Sequence, residues 1–435
     1  MSLINFKTSE QEMNIRLLTS FDWVTRDARL IIFARATRTF AQSFIAVLMA
    51  LYLTELGFSL VQIGMVLSAG VIGVAAFAVL VGLVSDRVGR RNLLVAFSLV
   101  SAVAGLALFF VDELVPLLLI AFVGSLSTGG GGGGESPAQP LELAILPDTA
   151  PAERRTDLFA VYGILARTGT ALGALAAGLP AIFQEFFGLS TLSSFKLMFI
   201  GFAVLQIAGA ILYGFLSSKV ENPGERGGWT NPMKLPSRRL IFTLTALFSV
   251  DTFTTSMVMQ SLVAFWFSTK FGLDVSSLAF VFFFSHVLTA VSLWLAAKIS
   301  NRFGLLNTMV FTHIPSSFFL IAAAFAPTAW VAILFWQLRS FLGQMDTPAR
   351  DSYTMAIVGP EERVAMASIH MVGRSAAGAV GPSVTTALWS VSSAAVPLVS
   401  AAVLKIAYDL TLYAMFRKVR PPEEIERAKK RDASK

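Results

Sequence analysis

The sequence predicts an all-α polytopic membrane protein: twelve transmembrane helices in two pseudo-symmetric six-helix halves. Three observations predict it. The 435 residues are 55% hydrophobic and 14% charged, with a mean hydropathy of +0.69. A soluble domain averages about 25% charged residues, so a water-soluble core cannot absorb this apolar surface. Apolar runs of about 20 residues, the length that crosses a bilayer, recur along the whole chain. A charged segment is also repeated: Ser85, Asp86, Arg87, Gly89 and Asn92 return as Ser300, Asn301, Arg302, Gly304 and Asn307, each displaced by 215 positions.

Taken in order, residues 1–27 form a polar or amphipathic leader without the apolar run and small-residue cleavage site of a secretory signal. It suits a helix lying on the membrane surface and a plain leader equally well. The first half, 28–217, holds spanning segments at 28–54, 60–81, 92–111, 114–146, 157–180 and 195–217. The stretch 218–238 contains Asn222-Pro223-Gly224-Glu225-Arg226-Gly227-Gly228, a polar linker between halves. The second half, 239–416, holds segments at 239–268, 275–298, 306–326, 329–357, 363–389 and 394–416, and a basic tail occupies 417–435. In the fourth segment, Gly129–Gly134 followed by Pro137 and Pro140 predicts a hinge or a close helix contact. No strand precedes that run and no Gly-Lys-Ser/Thr follows, so it is not a phosphate loop. Trp266, Trp330 and Trp389 fall near helix ends and suit an interfacial belt.

Lysine and arginine orient the chain. The leader through Arg29 carries 4, alternate connectors carry 3, 2, 5, 2 and 1, and the tail carries 8, whereas the opposite connectors hold only Lys196 and Lys270. Both termini are therefore expected in the cytoplasm of a cell membrane. The net charge of +7 reads as anchoring to that side, not as a nucleic-acid surface. Cysteine is absent, which excludes disulfides and thiolate chemistry. His286, His313 and His370 have no metal-ligand spacing. No nucleophile–base pair is apparent, so no enzyme, metal or cofactor is expected. The expected partners are a small-molecule substrate, protons and the lipid bilayer; a monomer suffices.

Gly82, Asp86, Arg87, Gly89, Arg90 and Arg91 between the second and third segments resemble the Gly-x-x-x-Asp-Arg-x-Gly-Arg-Arg/Lys signature of major facilitator superfamily transporters. The resemblance covers roughly residues 28–416. In the second copy Asn301 replaces the acid and Leu305 an arginine. The family's fourth-helix arginine is not evident. The Gly-Pro signature of many antiporters is partial in the fifth segment (Gly169, Gly173, Gly178, Pro180), and Gly378, Gly381 and Pro382 in the eleventh look closer to it. The resemblance implies a secondary transporter with a central site between halves. It also implies a cytoplasmic gate at Gly82, Asp86, Arg87, Gly89, Arg90, Arg91, Asn301, Arg302 and Gly304, latched in the outward-open state. The same arginines would also serve simply to hold the loop inside.

Charges inside spanning segments are costly and point to pairing or function. Glu135 and Arg167 both fall roughly 15 Å deep at 1.5 Å per residue, level on neighbouring segments. Asp346 and Arg374 repeat them with offsets of 211 and 207. Two ion pairs are expected, Glu135 with Arg167 and Asp346 with Arg374, with Arg350 competing for Asp346 at i+4. They neutralise buried charge, or one carboxylate titrates and drives alternation. Arg35, Arg38 and Gln42 form one stripe that suits an anionic substrate or a carboxylate partner such as Glu135. Asp251 lacks a basic residue at i±3 or i±4 and is the first candidate for carrying a proton. Lys405 and Asp409 are expected to neutralise each other.

The functional expectation is proton-coupled alternating access, with export of a drug or metabolite first and import of a small organic anion second. A non-transporting sensor or scaffold with this fold is the rival from another class. The cysteine-free chain makes the orientation directly testable. Cysteine at Lys270→Cys should react with an impermeant maleimide in intact cells, and Glu225→Cys only after permeabilisation. The reverse pattern would overturn the topology.

Overall fold

The computed structural model describes residues 24–126, 136–150, 154–221, 236–357, 362–417 and 419. These residues form helices and no strand. In chain order the helices are α1 Arg26–Glu55, α2 Leu60–Val88, α3 Arg90–Phe110, α4 Leu114–Val123, α5 Gln139–Ile145, α6 Arg155–Ala176, α7 Leu179–Phe187, α8 Thr191–Gly214, α9 Arg238–Met257, α10 Gln260–Phe271, α11 Val275–Phe303, α12 Leu305–Ala324, α13 Ala329–Leu342, α14 Asp346–Ala356, α15 Arg363–Val391 and α16 Ala395–Phe416. Twelve crossings account for all sixteen, because the fourth, fifth, seventh and tenth crossings are each made of two consecutive helices. Among the described residues nine spans are long and apolar enough to cross a membrane outright; α4 and α13 are shorter apolar helices. The leader, most of the expected linker, the Gly129–Gly134 run and nearly all of the basic tail lie outside the described residues.

Local chemistry sets the helix starts. Thr25 accepts from the amide of Ala28 at 3.3 Å and opens α1. Ser59 and Gln62 close a reciprocal capping box on α2. Ser190 and Asp274 cap α8 and α11.

The repeated charged segment differs from its expected form. It was expected as a turn beyond a helix ending near 81, but α2 continues helically to Val88, so the turn is one residue. Gly89 takes φ +91° and α3 begins at once. The second copy does the same, with α11 reaching Phe303 and Gly304 at φ +89°. With ψ of 141° and 159° this backbone lies in a region essentially confined to glycine and costs other residues roughly 1–3 kcal/mol, which accounts for glycine at both positions. Arg87 stands exposed in the last turn of α2, where a cation favours the helix dipole.

The two halves pack alike. In the first, α1 lies against α6 and α8, and α3 against α8; in the second, α9 lies against α15 and α16, and α12 against α16. Across the halves, α2 meets α15, α6 meets α11, and α1 meets α10. The apolar core is asymmetric along the bundle axis. At the end away from Gly89 and Gly304, one continuous core joins both halves, with Phe44, Leu48, Tyr52, Phe199, Phe265, Trp266, Phe282 and Trp336. At the glycine-turn end there are two separate cores, one around Ile31, Leu94, Leu141 and Leu158, the other around Phe248, Met309, Tyr353 and Leu412. Among the described residues the apolar cores of the halves are joined at one end and separate at the other. Trp266 belongs to the joined core, 1% exposed, and not to an interfacial belt; Phe267 and Phe271 pack its ring. Trp330 is exposed, and Phe110, Phe186, Phe311 and Val391 on other helices form part of the outer apolar surface.

At the joined end the contacts between halves are small and neutral. Ser68 and Ser383 hydroxyls are 2.8 Å apart, and Ser261 donates to the carbonyl of Ala46 at 2.6 Å. A Cβ added at Gly64 would fall 1.9 Å from the Thr386 hydroxyl, so glycine is what lets α2 approach α15. A Ser68→Cys/Ser383→Cys pair in this cysteine-free chain should cross-link under mild oxidation and hold the joined end shut. Transport that survives cross-linking undiminished would contradict a bundle that must part there.

Candidate functional site

Two buried charge clusters occupy the halves. In the first, Glu142 on α5 is fully buried. Arg38 on α1 grips it with two parallel bonds, Nη1 to Oε1 at 2.7 Å and Nη2 to Oε2 at 2.9 Å. Arg35 Nη1 reaches Oε2 at 3.4 Å. The Tyr162 hydroxyl on α6 donates to Oε2 at 2.7 Å, and the Tyr213 hydroxyl on α8 donates to Oε1. The Arg35 guanidinium also lies 4.2 Å from the centre of the Tyr162 ring. One carboxylate thus ties together α1, α5, α6 and α8.

The second cluster is longer. Asp251 on α9 is met by Arg350 Nη1 of α14 at 2.9 Å and by the Lys405 ammonium of α16. Arg350 Nη1 also sits 3.0 Å from Asp346 Oδ2. His313 on α12 stands between two carboxylates, Nε2 at 3.0 Å from Asp346 and Nδ1 at 3.1 Å from Asp409. All six side chains lie in the interior of the half, and Asp251, Asp346, His313 and Asp409 are each 3% exposed or less.

The clusters occupy matching positions with reversed signs. Arg38 on the first crossing corresponds to Asp251 on the seventh, displaced by 213, and Glu142 on the fourth corresponds to Arg350 on the tenth, displaced by 208. Both displacements fall within the 207–215 spread of the other repeated residues.

Several expectations change. Glu135 lies outside the described residues, and the carboxylate that takes Arg35 and Arg38 is Glu142, two helical turns further on. Arg167 lies near Arg35 and His286, the latter across the interface between halves. Its Nη1 is buried without a hydrogen-bond partner. Asp346 pairs with Arg350 and His313, not with Arg374, whose Nε donates to Thr252 at 2.9 Å. Lys405 and Asp409 do not neutralise each other: Lys405 turns to Asp251 and Asp409 to His313. Asp251 lacks a cation on its own helix but has two from others. Gln42 lies on the expected stripe with its carbonyl oxygen unpartnered.

Of the gate residues, Gly82 lies in the last turns of α2, Gly89 and Gly304 form the one-residue turns, and Arg87 and Arg302 are exposed. The side chains of Asp86 and Asn301 lie outside the described set. Glu221, after α8, accepts from the amides of Arg90 at 2.7 Å and Arg91 at 3.1 Å, capping α3. Arg91 also donates to the carbonyl of Leu216 at 3.2 Å. Among the described residues no group of His, Asp or Glu could hold a metal ion.

A duplicated bundle with interior charge clusters, whose apolar cores join at one end only, is the architecture of a multi-pass membrane transporter. The chain belongs to the Major Facilitator Superfamily, which matches residues 31–345 and 245–435. It is 22% identical to an uncharacterized membrane protein of Saccharomyces cerevisiae, over 92% of this chain and 96% of that protein. Its fold matches a bacterial homolog of the human lysosomal transporter Spinster, in an inward-facing and unoccupied conformation, with a TM-score of 0.71 at 15% identity, covering 92% of this chain and 99% of that one. It also matches a D-xylose–proton symporter, with a TM-score of 0.67 at 13% identity, covering 89% and 95%.

Glu142→Gln strips two buried arginines of the carboxylate they share. It should cost about 3–5 kcal/mol, the scale of breaking a buried pair. The exposed Arg154–Asp157 pair, 3.2 Å apart, is the control; Asp157→Asn should cost less than about 1 kcal/mol. Thermal unfolding of both variants in detergent compares them directly.

Proposed function

We propose that this chain is a proton-coupled secondary transporter of a small organic solute, working by alternating access. Its coupling site is the cluster of Asp251, Lys405, Arg350, Asp346, His313 and Asp409. The observation that carries this reading is a charge imbalance. Three carboxylates face Arg350 and Lys405, which leaves one negative charge over, and a proton shared with His313 between Asp346 and Asp409 cancels it. A buried group that is one proton short of neutrality couples protonation to conformation, because the bilayer interior penalises an uncompensated charge. The first cluster has a different role: Glu142 is saturated by two arginines and two tyrosines and acts as a structural lock. That a D-xylose–proton symporter shares the fold is consistent with proton coupling.

The Lys/Arg distribution supports cytoplasmic termini in a cell membrane. On that orientation the parted end faces the cytoplasm and the bundle is inward-open. The Gly82–Arg91 segment then has the gate role that the family signature implies, unlatched in this state. Symport would import and antiport would export. Both use the same cluster and differ only in the sign of coupling.

Reconstituted flux tests the proposal. Proteoliposomes with an internal pH dye should acidify or alkalinise on addition of a transported solute. Asp251→Asn, Asp346→Asn and His313→Gln should each lose about tenfold or more of pH-driven flux, a barrier change of about 1.4 kcal/mol. Intact coupling in all three variants would remove this site. No flux for any solute in a broad panel would favour the non-transporting sensor.

A further inference from the structure

A cavity of about 90 Å³ opens inside the second half, between the seventh, eighth, ninth, tenth and twelfth crossings, not between the halves. That is room for several waters or the polar end of a small solute. Both helix breaks of this half border it. Val258 and Gln260 flank the break between α9 and α10, and Gly343 and Gln344 stand between α13 and α14. Broken backbone at membrane depth is tolerated where it lines a polar cavity.

The lining is cationic and rich in hydroxyls. It includes Arg339 and Lys405 and no carboxylate, with Ser317, Ser285, Thr255 and Ser340 among its hydroxyls. Lys405 is held by Asp251. Arg339 has no ion-pair partner among the described residues; its guanidinium lies 4.7 Å from the centre of the Trp336 ring. Placed in the middle of a crossing, such a cation calls for an anion. Two further polar groups in the lining are unpartnered. The Ser317 hydroxyl is buried, with Ser317 2% exposed, and the Gln260 Nε2 has no acceptor. The twelve-residue α10 begins at Gln260, itself part of the lining, with no side-chain cap and no acidic residue in its first turn, so the positive dipole end of the helix lies at the edge of the same space.

We propose that this cavity is a binding site for a small hydroxylated organic anion. Its carboxylate or phosphate is held by Arg339 and the start of α10, and its hydroxyls by Ser317, Gln260 and their neighbours. The same anion would be the transported solute; that clause rests on the transport reading, whereas binding itself does not. Lys405 connects the two, because it both lines the cavity and holds Asp251. An anion here competes with Asp251 for Lys405, and so reaches the coupling cluster through one side chain.

The test is ligand binding to the full-length protein in detergent, read by thermal stabilisation and by Trp fluorescence. The probes are D-gluconate and D-glucose 6-phosphate, with D-glucose as the neutral control. One or both anions should bind, the neutral sugar far more weakly, and the preferred anion identifies the head group. Arg339→Gln should lower anion affinity about tenfold or more, the scale of losing a charged hydrogen bond. Without ligand it should melt at or above wild type, since it removes an unpaired charge. Ser317→Ala should weaken binding without affecting the melt, and it decides the matter if Arg339→Gln aggregates. Equal binding of glucose and the anions, or affinity unchanged in both variants, would overturn the site. Flux of other solutes with no anion binding would remove this inference and leave the transport reading intact. Anion binding with no flux would do the opposite.

Discussion

A charge held inside hydrocarbon must meet an opposite charge or a polar cavity, and this constraint organises the bundle. Seven basic side chains lie within the crossings: Arg35, Arg38, Arg167, Arg339, Arg350, Arg374 and Lys405. Arg35 and Arg38 converge on Glu142, and Arg350 and Lys405 converge on Asp251. Arg374 donates to a hydroxyl. Arg167 and Arg339 stand apart, with no carboxylate partner among the described residues. One lies at the interface between halves and the other on a cavity. Those are the two places where a bundle of this kind can bring an anion or water to a cation.

The reversed signs of the two clusters give the halves the same frame and different electrostatics. In the first half the cation stands on the first crossing, and its carboxylate is saturated. A carboxylate with five donor contacts has little left to offer a proton or a ligand. In the second half the carboxylate stands on the seventh crossing, and one of its cations, Arg350, is shared with Asp346, which His313 links on to Asp409. The two halves share the geometry, and the exchange of charge leaves the first cluster one positive charge over and the second one negative charge over before His313 is counted.

Much of this was legible in the sequence, and its failures have physical causes. The repeat at 85–92 and 300–307 corresponds to two glycine turns with nearly equal φ, because a single positive-φ residue between two helices tolerates little else. Glu142 escaped notice because six consecutive glycines blurred the register of the fourth crossing, so Glu135 seemed the deeper acid. The partners of Asp251 come from α14 and α16, and a search at i±3 and i±4 sees only its own helix. Lys405 and Asp409 fit the i,i+4 rule, yet in a packed bundle a partner on a facing helix outweighs one along the same helix. The break at Val258–Met259 carries no glycine or proline, so nothing in composition marks it. The cavity depends on that unmarked break as well as on the one at Gly343, and so was not visible in composition.

The two ends of the bundle also differ in how firmly they hold. At the joined end the halves touch through Ser68–Ser383, Ser261–Ala46 and the close approach at Gly64, all neutral. A neutral hydrogen bond contributes about 1 kcal/mol net, and the apolar core there exchanges protein contacts for lipid, with no strong hydrophobic penalty. Reversing a two-state population from 1:99 to 99:1 needs about 5.5 kcal/mol. A few such bonds lie within that range, whereas a buried charge pair at the same place would by itself take up about 3–5 kcal/mol of it. The strong interactions sit within each half, where they keep the half rigid. The weak ones sit between halves, where a rocking motion must break them. On the proposed coupling, such a distribution would let a single proton and a bound anion, each worth a few kcal/mol, decide which end of the bundle is open.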